Sequence, residues 1–514
     1  MLDRETWSDL AFGLAFVATV LLVLEWALWR RGAGHRLRRV RDGLLASVGL
    51  LAALVWWAPL WVADTAPAAT PALRGVHMRD AFHYYVGPKY FRELGFTRLY
   101  ECSAAAEVER GGAADVAKRI YRDLETNRPV PGRSVVARAR SCRDRFTPGA
   151  WKRFVHDVDW FRQRTLDWGS VMLDWGYNAT PVWNALGATI VGTRPVTERQ
   201  LLWLTRLDAA VLLACAALIG WAFGWRTLSV ASIFWGTNLA NVYGWTGGSI
   251  LRQEWLLASI AGVCFLRKQW PLAAGAALTY AATLSIFPGF LAAGIGLKAV
   301  AEWIEARRIS FSRSQRRLLL GAALTLAVAL PAAVPSGGTP AAWAGFVTNS
   351  RIDSAPSPNN MGLPALLSYD RNERLRTFEL VEGAKAADSW TEAREKTLAA
   401  RRPLHVGLVL GFVWLAAGAA RRQPDWIAAL LGLGFVVFAF ELSCYYYAFM
   451  LLFGLLWPRH RSLGIALCGI AAASLWIGER WPDDEDLYMW LSLLAVVYVG
   501  TTAAVLRFPR AEPA

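Results

Sequence analysis

At 514 residues, 55% hydrophobic and only 18% charged, the chain is too apolar for an ordinary soluble domain. Its repeated apolar runs near the length of a bilayer core make it a polytopic helical membrane protein. The formal charge of +15 would suggest nucleic acid in a soluble protein, but here Arg gathers in short loops between apolar runs and no nucleic-acid motif accompanies it. The bilayer, not nucleic acid, is the expected partner.

The first predicted span covers about 10–29. The residues before it carry more acid than base and lack the basic region and cleavage site of a removable signal peptide, so the span is expected to remain in the mature protein. Arg30, Arg31, Arg36, Arg38, Arg39 and Arg41 place the next loop in the cytoplasm. A second span near 43–63 completes an N-terminal pair of helices, 1–63.

A Pro- and Ala-rich linker, 64–73, opens a long outer loop, 64–200. Its first stretch, Arg79-Asp80-Ala81-Phe82-His83-Tyr84-Tyr85, runs on through Lys89-Tyr90 to Leu99-Tyr100. It combines a carboxylate, an imidazole, an amine and aromatics beside a span. The part from about 104 to 165 reads as a helical insert of mixed charge, with turn signals at 129–132 and at Pro148-Gly149. Residues 171–187 become apolar again and are expected to lie along the interface or dip into it.

The block 201–334 is expected to hold spans near 201–221, 229–245, 249–266, 271–285, 287–304 and 318–334, with a break at Phe287-Pro288-Gly289-Phe290. Arg267-Lys268 and Arg307, Arg308, Arg313, Arg316 and Arg317 fall on the predicted inside. A second outer loop covers 335–403. The block 404–514 holds spans near 404–420, 426–440, 442–457, 463–477 and 487–506. Arg421-Arg422 and 459–461 fall inside, and Asp483-Asp484-Glu485-Asp486 outside. The expected architecture is an all-α polytopic membrane protein with about 13 transmembrane helices and two long outer-face loops, N-terminus out and C-terminus in. No internal repeat is evident, which argues against a secondary transporter.

Cys215, Cys264, Cys444 and Cys468 fall in or beside apolar spans, where packing is the default. Cys102 and Cys142 share the first outer loop and can pair in an oxidising compartment; neither spacing nor flanking His suggests zinc.

Most acids lie in the outer loops, with Asp208 the clearest mid-span acid and Glu25 and Glu441 nearer span ends. The chemistry is therefore expected at the outer surface rather than along a transmembrane path. Asp80 is either a general base toward a hydroxyl, tuned by His83 or Lys89, or the N-cap of the following helix. His83, Tyr84 and Tyr85 either line a pocket or form an interfacial aromatic belt. Lys89 and Arg92 either hold a phosphate or are solvated or snorkelling.

Asp157-Val158-Asp159 is a weak acid pair for a metal-bound nucleotide sugar and reads rather as a charged helix face. Asp174, with Tyr177 and Asn178 beyond it, is the better second acid because it stands at the re-entry to the membrane. Arg252 and Glu254 either pair with each other or bind phosphate, whose oxygens match the guanidinium fork. Asn349 and Asn359-Asn360-Met361-Gly362-Leu363-Pro364 read as turn chemistry first and substrate contacts second. Glu441 with Tyr445-Tyr446-Tyr447 either completes a sugar pocket or marks the interface.

Asp80-Ala81-Phe82-His83-Tyr84-Tyr85, followed by Gly95 and Leu99-Tyr100, resembles the first outer loop of GT-C glycosyltransferases, and most of all the bacterial mannosyltransferases that use polyprenyl-phosphate mannose. The aromatic-Pro segment 177–183 is similar to the family's re-entry into the membrane, and Phe287-Pro288-Gly289 and Asn360-Met361-Gly362 come in the family's order. An additional N-terminal span and the longer insert depart from the pattern and leave the acceptor type open.

The resemblance implies that Asp80 is the catalytic base in a bacterial inner membrane, acting on the periplasmic face. A hydroxyl on a lipid or glycan acceptor would attack a polyprenyl-phosphate sugar, mannose in the family, with inversion. Substrate contacts are expected from His83, Tyr84, Tyr85, Lys89, Asp174, Tyr177, Asn178, Arg252, Glu254, Asn360, Glu441 and Tyr446. No cofactor or metal is expected, because the leaving group is already an activated phosphate. The competing readings are a lipid or solute transporter, in which Asp208 or Glu441 would carry flux, and a non-catalytic protein of envelope assembly.

Overall fold

The computed structural model describes residues 4–30, 38–57, 71–382, 386–481 and 483–508. Arg31 and Arg36 of the first basic loop, the end of the second expected span and most of the 64–73 linker lie outside the described residues. Among those described, seven helices are long and apolar enough to cross a membrane: Thr6–Leu28, Glu198–Phe223, Phe287–Ala306, Arg313–Ser336, Arg402–Ala420, Arg461–Arg480 and Asp484–Arg507. Shorter apolar helices, Pro181–Val191, Pro271–Leu284, Asp425–Ala439 and Cys444–Leu456, accompany them. The chain is a helical membrane protein.

Lipid offers helices no hydrophobic reason to associate, so close packing between small residues holds them. A Cβ on Gly236 would strike the carbonyl of Ala52, pinning Trp225–Thr237 to Arg38–Trp56. Gly275 meets the Leu318 carbonyl and Gly321 that of Leu272, joining Pro271–Leu284 to Arg313–Ala333. Gly294 and Gly432 do the same for Phe290–Ala306 and Asp425–Gly432.

Four expected spans are corrected. The runs 229–245 and 249–266 become the helices Trp225–Thr237 and Glu254–Arg267, and the chain over 238–253 holds only two short turns of helix, Leu239–Asn241 and Tyr243–Thr246. That segment contains Asn238, Asn241, Gly244, Gly247, Gly248 and Ser249, which favour turns over helix even inside an apolar run. Asn238 begins it: its side chain accepts the Ala240 N–H at 2.9 Å. At 13 and 14 residues the flanking helices are only about 20 Å long, against a hydrocarbon core of about 30 Å. The expected 426–440 span breaks into Asp425–Gly432 and Gly434–Ala439, and 442–457 is mostly a tighter 3₁₀ helix, Cys444–Leu456.

The insert contains the helices Leu99–Glu109, Gly132–Arg143 and Pro148–Arg164, together with a hairpin that pairs Ile120–Asp123 antiparallel with Arg128–Pro131. Both turn expectations move. Residues 129–131 are strand, and the turn lies before them, at Asn127 with φ of 57°. Pro148-Gly149 opens a helix whose cap is Thr147, accepting the Ala150 N–H at 3.3 Å; proline suits a first turn, where its missing N–H is not needed. A disulfide joins Cys102 to Cys142.

The second loop is tied to the acidic start of the last helix. Tyr369 and Arg374 donate to Asp486, and the Leu375 N–H and Trp390 Nε1 donate to Glu485.

Candidate functional site

The helix Met78–Lys89 carries the motif stretch, and its start is set by His77. His77 Nδ1 accepts the Asp80 N–H at 3.3 Å, which makes His77 the N-cap and puts Asp80 in the first turn. The N-cap reading of Asp80 is overturned: an imidazole takes that role, and the carboxylate stands where the helix's positive end favours it. Burial pushes the His77 pKa down, aided by Arg252 and Arg79, so the ring stays neutral. With Nδ1 already accepting, its 3.4 Å separation from Asp80 Oδ1 is a contact rather than an ion pair.

Arg252 answers the Asp80 charge. Its Nη1 meets Asp80 Oδ2 directly, with the two side chains only 17% and 16% exposed. The 238–253 segment can deliver it because it is tied to the start of the motif helix. The His77 N–H donates to Gly248 O at 2.8 Å, and the Tyr243 hydroxyl donates to Gly75 O at 2.9 Å. Gly248 has φ of 72°, and a Cβ there would run into the Gly75 carbonyl, so only glycine fits. The Arg252 guanidinium lies over the Tyr445 ring, 4.7 Å from its centroid, and Trp245 stacks on Tyr445 at 6.2 Å.

Two expectations change here. Arg252 pairs with Asp80 and not with Glu254, which opens the next helix and accepts the Tyr280 hydroxyl. Tyr446, an expected substrate contact, packs on Phe287 at 5.1 Å, and it is Tyr445 that lies under the guanidinium.

Asp208 reaches the same segment from the Glu198–Phe223 helix and accepts the Gln253 N–H at 3.3 Å. The mid-span acid thus has a structural use. Its Oδ2, together with Gln253 Oε1, Ser249 Oγ and both polar side-chain atoms of Asn241, is buried with no hydrogen-bond partner among the described residues. Buried polar atoms are nearly always paired, so this concentration around the segment that carries Arg252 sets it apart from packing scaffold.

Other faces of the motif helix meet the insert and the re-entry segment. Tyr84 donates to Asn178 Oδ1 at 3.2 Å and packs edge-on against Trp183 and Tyr177. Tyr177 is buried and donates to Asn184 Oδ1 at 2.9 Å. His83 Nε2 lies 2.7 Å from the Tyr100 hydroxyl, which accepts the Gly176 N–H at 3.1 Å, and Nδ1 is 3.9 Å from Asp174 Oδ2. Burial outweighs Asp174 and pushes the His83 pKa down to about 4. The neutral ring therefore accepts from Tyr100 and turns its N–H toward Asp174.

An unfolded His titrates near 6.5, so between about 6.5 and 4 the unfolded chain binds a proton that folded His83 refuses. Stability is fully present above that window and falls as pH drops through it. His83→Gln should flatten the decline in melting temperature between pH 7 and 5, with His77 leaving a remainder of the same sign. An unchanged decline would assign the effect elsewhere.

Two expected contacts, Lys89 and Tyr85, are engaged elsewhere. Lys89 Nζ donates to Asp157 Oδ2 at 2.7 Å and to the Arg194 carbonyl, with the pair 3% and 0% exposed. Tyr90 donates to the same oxygen at 2.9 Å, and the Val196 N–H to Oδ1 at 2.8 Å. Lys89 is therefore neither snorkelling nor free for a phosphate, and Asp157 is not on a solvated face. Asp159 does hold that face, accepting from Arg162 at 2.9 Å and Gln163 at 2.8 Å. Tyr85, four residues before Lys89 and on the same side, donates to Gln200 Oε1 at 2.9 Å.

Asn360 and Glu441 meet in a separate cluster. Asn360 pairs with Ser443 across a two-residue ribbon, and Glu441 accepts from Arg394 at 3.1 Å. Burial raises the Glu441 pKa while Arg394 opposes it.

Reading the sequence alone passed over His77, Trp245, Asn241, Ser249 and Gln253. The available signal was Gly247-Gly248 and the paired Asn residues inside an apolar run. Among the described residues, no group of three or more His, Cys, Asp and Glu is placed to hold a metal ion. The chain matches no protein-family model, no curated protein and no solved structure.

Proposed function

We propose that the chain is an inverting membrane glycosyltransferase of GT-C architecture. On this reading the long and short apolar helices together make about 13 crossings, and the insert and second loop face the periplasm of a bacterial inner membrane. The donor is a polyprenyl-phosphate sugar, with mannose the first candidate, and the acceptor is a hydroxyl on a lipid or glycan.

The observation that carries the proposal is the Asp80–Arg252 pair over Tyr445, where the segment between two short helices meets the motif helix. Such a buried pair adds little to stability once desolvation is counted, so a functional reason for keeping it has weight. In the reaction Asp80 takes the proton of the acceptor hydroxyl as its oxygen bonds to the anomeric carbon. The bond from that carbon to the phosphate oxygen breaks, and polyprenyl phosphate leaves with the electron pair.

Base and leaving group must flank the anomeric carbon, so the donor has to part Asp80 from Arg252. Arg252 then exchanges one anion for another, and its fork stabilises the charge that develops on the phosphate. Asp80 is released to act as base.

The test uses purified protein in nanodiscs with labelled polyprenyl-phosphate mannose, a panel of other polyprenyl-phosphate sugars and an envelope lipid extract. The expected result is a labelled acceptor with stoichiometric release of polyprenyl phosphate. No transfer from any donor in the panel would overturn the reading.

A further inference from the structure

A second basic cluster lies at the other end of a long helix from the motif stretch. The helix Arg313–Ala333 has 21 residues, about 30 Å of length. Just past its C-terminal end it meets the motif and re-entry segments, where Arg92 donates to Pro335 O and Asn184 to Ser336 O. Its other end begins at an ordered connector. Trp303 Nε1 donates to Ser310 O at 2.6 Å, and Ser312 and Gln315 form a reciprocal capping box.

Arg307, Arg308, Arg313, Arg316 and Arg317 crowd this connector, all exposed, and none makes an ion pair among the described residues. The nearest acids are engaged elsewhere. Glu302 accepts from Gln315 at 3.2 Å and lies 3.9 Å from Lys298, and Glu305 lies 3.5 Å from Arg421. Arg313 stands in the first helical turn, where a cation opposes the helix dipole.

Apolar side chains lie among these cations. Ile304 is 73% and Ile309 77% exposed, with Phe311, Leu319 and Leu320 exposed beside them. The two helices that the connector joins pack on different partners: Arg313–Ala333 on Pro271–Leu284, and Phe290–Ala306 on Asp425–Gly432. The connector and the two helix ends it joins thus present unpaired cations and exposed apolar side chains together.

We infer that this connector and its flanking helix ends form a binding site for an anionic phospholipid. The phosphate is gripped by Arg313, Arg316 and Arg317, with Arg307 and Arg308 facing it from the connector. The acyl chains run along Ile304, Leu319 and Leu320. Unpaired cations interleaved with exposed apolar side chains match a ligand that is anionic at one end and hydrocarbon at the other. A solvated basic loop would account for the arginines but not for Ile309 and Phe311. The site is independent of sugar transfer and requires only that the chain spans a membrane.

Detergent-purified protein is titrated with phosphatidylglycerol, phosphatidylcholine or inorganic phosphate while thermal unfolding and lipid adducts in native mass spectra are followed. Phosphatidylglycerol should raise the melting temperature by about 3 °C or more at saturation and persist as a bound adduct. Phosphatidylcholine and phosphate should do neither. R313Q/R316Q/R317Q should lose the shift and the adduct while keeping the lipid-free melting temperature, because these side chains make no ion pair. If the triple change disturbs insertion, R316Q/R317Q carries the same expectation. A retained shift in the variant, or an equal shift with phosphatidylcholine or phosphate, overturns the inference.

Discussion

Asp80→Asn is expected to lower sugar transfer by about 10²- to 10⁴-fold, the usual contribution of a positioned general base. The amide keeps the size of the carboxylate and can still accept a hydrogen bond from Arg252, so donor binding should persist. It cannot take the acceptor's proton. The substitution also leaves the Arg252 charge without its counter-ion, so folding must be measured alongside rate. Melting temperature and donor binding are to be read on the same preparation as turnover.

A purely structural role for the pair makes a different forecast. Asp80→Asn/Arg252→Gln, which removes both charges, would then regain stability and activity together. A catalytic role predicts that the double variant regains stability alone. Turnover within about tenfold of wild type in folded Asp80→Asn would remove Asp80 as the base.

Lys89→Met is expected to destabilise the protein by about 3–5 kcal/mol, because it takes the buried ammonium away from the buried Asp157 carboxylate. The hydrogen bonds from Tyr90 and the Val196 N–H remain, as does His156 Nδ1 at 3.2 Å from Oδ1, but none of them replaces the ammonium. The lost stability should appear as a lower melting temperature and faster proteolysis within the Pro148–Arg164 helix and its neighbours. Lys89→Met/Asp157→Leu should recover most of it, since removing both charges also removes their desolvation. A double variant no better than the single would show that packing, not charge, is at stake. The donor KM of Lys89→Met should match wild type, in contrast to the phosphate-binding role that the sequence allowed.

The difference between these two residues shows where sequence reading stops. Asp80 and Lys89 lie on one short helix, and both carry charges beside a span. The helical period assigns them different sides, but it does not say what each side meets. Asp80 turns to a segment that the sequence presents as the join of two apolar spans. Lys89 turns to an acid that the sequence presents as part of a surface helix.

Likewise the tyrosine run 445–447 was visible, yet which ring faces Arg252 depends on the 3₁₀ helix that begins at Cys444. The GT-C resemblance pointed to Asp80. It did not reveal His77 as the cap or the glycine contact at Gly248 that brings Arg252 within reach.

The sequence by itself determined the helical membrane class and the helix that bears the motif stretch. Those follow from run length, charge and composition, which are local quantities averaged over a turn or a span. It also placed Cys102 and Cys142 in one loop, where they are joined. Only the tertiary structure decided the ends of the short helices, the burial of Lys89 with Asp157 and the meeting of Asp80 with Arg252. Each depends on backbones that approach closely at glycine and on charges far apart in the chain being withdrawn from water together. No window of sequence contains both partners, so that information exists only after folding.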